Sequence, residues 1–119
     1  GIEAGAGCVL VSHNVISCMD ESLPASLSEK IHMILREGLG FTGVIMTDDL
    51  SMNAVKDYID KENAAIIAVL AGNDIIIATE YREQIPAVIN AVADKRIPES
   101  LIDRAAMRVL LWKIYQGIL

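Results

Sequence analysis

Three short apolar runs recur along this chain at near-even intervals, and each is followed by sequence with helical periodicity. The runs are GCVLVSH (7–13), GVIMTDD (43–49) and NDIIIAT (73–79). Each is continuous rather than alternating and rich in Val and Ile, the pattern of parallel strands covered on both faces. After the first run, SLSEKIHMILREGL places Ser26 and Glu29 in the spacing of a capping box, repeats apolar residues at Ile31, Ile34 and Leu35, and stops at Gly40. A second helix is predicted from about Met52 to Leu70, ending before Ala71-Gly72-Asn73, and a third over REQIPAVINAVADKR. The last, PESLIDRAAMRVLLWKIYQGIL, has Pro98 at a permitted first-turn position and sets Ile102, Ala105, Ala106, Val109 and Leu110 along one face.

The predicted order is β-α-β-α-β-α-α, and such connections are right-handed crossovers that build a parallel sheet. His13 to Asp48 spans 35 residues and Asp48 to Thr79 spans 31. These match the ~31 residues per unit implied by ~250 residues over eight units of a (β/α)8 barrel. The expected fold class is therefore α/β: part of a (β/α)8 TIM-type barrel, about three parallel βα units plus a terminal helix, with residues 1–119 as a single fragment of one domain.

The polar residues that break the apolar runs fall on the carboxyl side of each strand: His13, then Asp48 and Asp49, then Thr79 and Glu80. In parallel α/β folds this is the side where ligands bind and chemistry occurs. On spacing alone, the adjacent carboxylates fit a helix cap or turn as well as they fit a site. His13, at the end of a buried strand, fits either a pocket or a hydrogen bond to a neighbouring loop. His32 lies within an amphipathic helix and Cys8 within a strand, so both read as structural.

Charge and cysteine usage remove several classes of function. Ten Lys and Arg stand against sixteen Asp and Glu, which disfavours a nucleic-acid backbone or an anionic membrane surface as partner. Cys8 and Cys18 have neither CxxC spacing nor a nearby His pair, so no metal site or other cofactor is expected. The longest apolar stretch, AAIIAVLAG, is far short of the ~20 residues a membrane helix needs. A reducing cytoplasmic compartment is the expectation, with a secreted parent left open because the parent's amino terminus is missing. A hydrophobic content of 53% is high for so small a unit, and points to self-association or a missing neighbour.

The run PASLSEKIHMILREGLGFTGVIMTDDLSMNAV resembles the amino-terminal barrel domain of glycoside hydrolase family 3, in its β-N-acetylhexosaminidase branch. That branch carries P-A-S/T-L-S, then L-R-x-x-L-G-F-x-G-V-I, then S/T-D-D-L-S-M. AGND before the third strand, IDRAAMRVLLWK near the end and VLVSH upstream extend the likeness over nearly the whole chain, with Leu10 where the family has Met. The resemblance implies the carboxyl-terminal part of such a barrel, from a retaining hydrolase of terminal β-linked N-acetylhexosamine that works through a covalent glycosyl-Asp intermediate. It places the nucleophile at Asp48, His13 and Met52 near the bound sugar, and Asp49 as a supporting group that also caps the turn at Ser51. The substrate implied is an amino-sugar glycan or a peptidoglycan-derived saccharide. The family's K-H-F-P-G-H-G-x-x-x-x-D-S-H motif, which carries the proton donor, is absent here, so the acid/base is assigned to no residue and the isolated chain is expected to be inactive.

Two other classes fit the coarse pattern. A phosphoacceptor signalling domain would have its acidic pair after the first strand and a Lys after the fifth; here the pair follows the second, and the third run ends in ATEYRE. A non-catalytic α/β assembly module would use its open sheet edge for pairing.

Overall fold

The computed structural model describes residues 1–51, 55, 57–59 and 63–119. The first two apolar runs form β1 (Cys8–Val11) and β2 (Val44–Thr47), paired in parallel with Cys8 opposite Val44 and Val11 opposite Thr47. The third run lies beside β2 but is a strand at one point only, the parallel bridge of Ile75 to Met46. There Ile75 N–H donates to Ile45 O (3.2 Å) and Thr47 N–H to Ile75 O (3.1 Å). Two residues later Ile77 N–H donates to the Thr47 hydroxyl (3.0 Å), so a side chain stands between the two backbones. The strand predicted over 73–79 is reduced to a bridge by this substitution of a hydroxyl for a main-chain carbonyl.

The helices whose bounds lie among the described residues are α1 (Glu29–Met33), α2 (Ala64–Ala71), α3 (Tyr81–Ala93) and α4 (Glu99–Tyr115). A 3-10 turn, Ala25–Leu27, precedes α1, and a π turn, Ile34–Gly38, extends it. The cap of α1 is Ser28, whose Oγ accepts from Ile31 N–H at 3.3 Å, and not Ser26 as the S-x-x-E spacing suggested. Ser26 lies inside the preceding turn, wholly buried. The second helix is not continuous from about Met52 as its periodicity implied, since 57–59 are not helical; its predicted start at Met52 lies outside the described residues. Asn63 Oδ1 accepts from Ala65 N–H (2.9 Å) and starts α2 there. Residues 52–54, 56 and 60–62, including Met52, lie outside the described set. Gly72 closes α2 in the left-handed region at φ 109, a conformation that favours glycine.

The core forms around β2 and α2. Ile45 packs with Val11, Ala25, Ile31 and Phe41, joining both strands to α1. Ala64, Ala65 and Ala68 of α2 face Leu27, Leu50 and Val55, while Ile66 and Val69 face Ala91 and Ile97. An Ala-rich helix with bulk on one flank thus fits between the α1 layer and α3. Burial of each large aliphatic side chain contributes roughly 1.5–3 kcal/mol. The expectation of strands covered on both faces holds for β2 but fails for β1, whose Leu10 is 53% exposed. Helix α4 buries no residue fully and leaves Met107, Leu110, Leu111 and Ile114 in the open.

A buried carboxylate ties the amino ends of the strands together. Asp74 takes Arg36 at 2.5 Å, Arg108 at 2.9 Å and the Ile45 amide at 2.9 Å. Arg36 also donates to Phe41 O (3.1 Å) and Gly43 O (2.5 Å). One carboxylate therefore links α1, β2 and α4, and leaves the opposite, carboxyl ends to carry the candidate site.

Candidate active site

At the carboxyl ends, β1 exits into Ser12 and His13, β2 into Asp48 and Asp49, and the third segment into Thr79. The main chain brings the first two together, since Asp48 N–H donates to Val11 O at 3.1 Å. His13 is buried, and both its ring nitrogens are engaged. Nε2 lies 2.9 Å from Asp49 O, and because a carbonyl can only accept, Nε2 carries a proton. Nδ1 lies 2.6 Å from the Ser26 hydroxyl, which can donate to it or accept from it.

Ser26 was not singled out as a site residue by the sequence, where it read as a helix cap. Its Oγ instead holds His13, its N–H donates to Ser12 O (3.1 Å), and its carbonyl accepts from Asn73 Nδ2 (2.8 Å). The S-L-S doublet offered the clue, because Ser28 stands directly before the helix and leaves Ser26 available for other work.

The two adjacent aspartates have opposite surroundings. Asp49 Oδ1 accepts from Ser51 N–H (2.9 Å), Ser51 Oγ (2.8 Å) and Thr79 N–H (3.1 Å), and Oδ2 accepts from Thr79 Oγ1. These donors, the Thr79 hydroxyl foremost, hold its carboxyl far below the usual carboxylate range. Asp49 is an anion at neutral pH whose carboxylate joins β2 to the third segment and also caps the turn at Ser51. Asp48 is half-buried, and among the described residues its carboxylate takes one donor, the Asp49 amide at 2.8 Å. Among the described residues no other donor reaches its remaining lone pairs. Glu80 is exposed, and Met52 lies outside the described residues.

Among the described residues no three His, Cys, Asp or Glu side chains stand close enough to hold a metal ion, and no helix is long and apolar enough to cross a membrane. The site offers carboxylate chemistry held by hydrogen bonds.

The chain is similar in sequence and fold to known proteins. The family described as "Glycosyl hydrolase family 3 N terminal domain" matches residues 1–111. The chain is 34% identical over 115 residues to Beta-hexosaminidase LpqI of Mycobacterium tuberculosis, an alignment covering 88% of this chain and 29% of that protein. It is 34% identical over 110 residues to a Beta-hexosaminidase of Thioalkalivibrio sulfidiphilus, covering 89% and 30%. Among solved structures, a glycoside hydrolase family 3 beta-N-acetylglucosaminidase from Paenibacillus sp. str. FPU-7 superposes with a TM-score of 0.89 at 33% identity, over 98% of this chain and 23% of that one. A Beta-N-acetylhexosaminidase from Beutenbergia cavernae superposes with a TM-score of 0.84 at 34% identity, over 94% and 35%. The chain thus spans about a third or less of the proteins it matches, and its fold is that of part of their amino-terminal barrel domain.

Proposed function

The chain belongs to glycosyl hydrolase family 3, and on that footing we propose that the protein carrying it cleaves terminal β-linked N-acetylhexosamine with retention of configuration, residues 1–119 supplying part of its barrel domain. Asp48 is the nucleophile. Its carboxylate attacks the anomeric carbon as the glycosidic oxygen leaves with a proton, and water then hydrolyses the glycosyl ester. The observation that carries the assignment is the contrast within the pair: among the described residues Asp49 accepts four hydrogen bonds, whereas the Asp48 carboxylate accepts one.

His13 borders the site. With both nitrogens engaged it presents ring carbon to a sugar and holds the Asp49 carbonyl. Met52 is assigned to the pocket on the family pattern. No residue of the 119 is assigned as proton donor, so the isolated chain is inactive toward aryl N-acetyl-β-glucosaminides. The substrate is an amino-sugar glycan or a peptidoglycan-derived saccharide. The unpaired Cys8 and Cys18 support a reducing, cytoplasmic setting.

The test is made in the complete enzyme. Asp48→Asn keeps the size and one acceptor of the side chain but cannot form the ester. Turnover is expected to fall at least a thousandfold, about 4 kcal/mol at ~1.36 kcal/mol per decade, with little change in melting temperature. A fluorinated amino-sugar that slows breakdown of the intermediate should label Asp48 in the peptide MTDDLSM. A label on Asp49, or near-normal turnover of Asp48→Asn, sinks the assignment.

A further inference from the structure

The Asp48 carboxylate is aimed by main chain. Among the described residues its one donor is the Asp49 amide at 2.8 Å, so its direction follows the Asp48–Asp49 peptide. Two groups fix the backbone on either side of that peptide. Val11 O accepts from Asp48 N–H at 3.1 Å, and His13 Nε2–H donates to Asp49 O at 2.9 Å. The first bond continues the pairing of β1 with β2 and comes with the strands. The second depends on which nitrogen of a side chain carries a proton.

A neutral imidazole holds one proton, and the tautomer is set by what the other nitrogen meets. With Nε2–H on Asp49 O, Nδ1 is bare and accepts from Ser26 Oγ–H at 2.6 Å. The opposite tautomer would turn the Nε2 lone pair onto a carbonyl oxygen, repulsion in place of a bond. Ser26 is wholly buried, and among the described residues His13 Nδ1 is the one partner of its hydroxyl. Its main chain is held independently: N–H donates to Ser12 O (3.1 Å), and its carbonyl accepts from Asn73 Nδ2 (2.8 Å), which also donates to Ala68 O (2.8 Å) in the last turn of α2. The Asn of the AGND run thus seats the serine, and the serine orients the histidine.

Taking Asp48 as the nucleophile, on which this inference rests, we propose that Ser26 is a positioning residue for the reaction. Its hydroxyl selects the Nε2–H tautomer of His13, which holds Asp49 O, the amide that follows Asp48 and the line along which Asp48 meets the anomeric carbon. Ser26 is wholly buried and does not touch the sugar, so its loss lowers the rate and leaves binding in place. A displacement of about 1 Å in a reacting group can cost about a hundredfold in rate.

The experiment uses the complete enzyme and an aryl N-acetyl-β-glucosaminide. Ser26→Ala removes the hydroxyl without touching the main-chain bonds, and should lower kcat by about tenfold to a hundredfold at nearly unchanged KM. Ser28→Ala is the control for stability alone: it loses the cap of α1 and the bond to Asp20 Oδ2 (2.6 Å), and should lower the melting temperature while kcat stays near the parent's. Ser26→Ala added to His13→Ala should reduce kcat little further, because the serine acts through the histidine. The fluorinated amino-sugar should still label Asp48 in Ser26→Ala, at a rate reduced in step with kcat. Parental kcat in Ser26→Ala, a loss carried by KM, an equal loss of kcat in Ser28→Ala, or losses that multiply in the double variant overturn the proposal. A label away from Asp48 in the parent enzyme refutes the nucleophile and this proposal with it, whereas Asp48 labelled at the parental rate in Ser26→Ala refutes the role of Ser26 alone.

Discussion

Replacing Asp74 by Asn tests how the amino ends of the strands are held. The Asp74 side chain is 1% exposed, and it accepts from two guanidinia and one main-chain amide. Asn has nearly the same volume and keeps one acceptor oxygen, but it replaces the other with an N–H that faces a cation. Both arginines are then left without a counter-charge, in positions only 18% and 31% exposed. Breaking a fully buried ion pair costs about 3–5 kcal/mol. Partial hydration of the arginines places this case near the lower end, at about 3 kcal/mol. With a urea dependence of roughly 1.5 kcal/mol per molar, the unfolding midpoint should fall by about 2 M at unchanged slope. Arg108→Gln should cost only about 1 kcal/mol, because Asp74 keeps Arg36 and the Ile45 amide. The assay is urea unfolding of both variants at one fixed protein concentration. A loss under about 1 kcal/mol for Asp74→Asn, or equal losses for the two variants, would show that the carboxylate is not the organising group.

Gly43→Ala should destabilise by about 1–3 kcal/mol in the same assay, because an added Cβ would lie 2.4 Å from Gly7 O and 2.9 Å from Gly7 C, backbone that cannot step aside. Stability should fall on acidification, with the sign set by the depressed pKa values of Asp49 and Asp20: their contribution is complete above the unfolded carboxylate value near ~3.9 and is lost as pH falls through the lower folded values. Asp49→Asn should therefore flatten the melting temperature below about pH 4, and an acid limb identical to the parent's would refute the role of Asp49. The isolated chain should self-associate through Met107, Leu110, Leu111 and Ile114, and a monomer by sedimentation at high concentration with no dye-binding apolar surface would exclude this.

What the sequence could disclose was local. The three apolar runs located β1, β2 and the bridging segment, and the strand-end position of His13, Asp48, Asp49 and Thr79 was legible because carboxyl ends follow directly from strand direction. The Asp74 network was not, since its arginines lie 38 and 34 residues away and no periodicity links them. The capping error has a physical source too. Ser26 and Ser28 both have cap chemistry, and only the register of the turn, pinned by Ser26 N–H to Ser12 O and Ala25 N–H to Asn14 O, decides which one caps. The third strand was overestimated because composition reports burial and β propensity, whereas the ladder depends on which oxygen its amides meet.

Those oxygens also explain why two neighbouring aspartates have different surroundings. The amides of Ile75, Ile77 and Thr79 donate in turn to Ile45 O, Thr47 Oγ1 and Asp49 Oδ1. Donors and acceptors both advance by two residues, so the parallel register continues past the point where the backbones separate, with side-chain oxygens in place of carbonyls. Along an extended chain alternate residues face the same way, so Thr47 and Asp49 meet the third segment together and Asp48, of the other parity, does not. Asp49 is the last rung of a widened ladder, and its charge is committed to four hydrogen bonds. Asp48 sits one residue earlier, anchored through its own amide to Val11 O, with its carboxylate outside that ladder. The parity that commits one carboxylate to structure keeps the other out of the ladder, which is the contrast the proposed nucleophile rests on, and moving the pair by a single residue would exchange their positions.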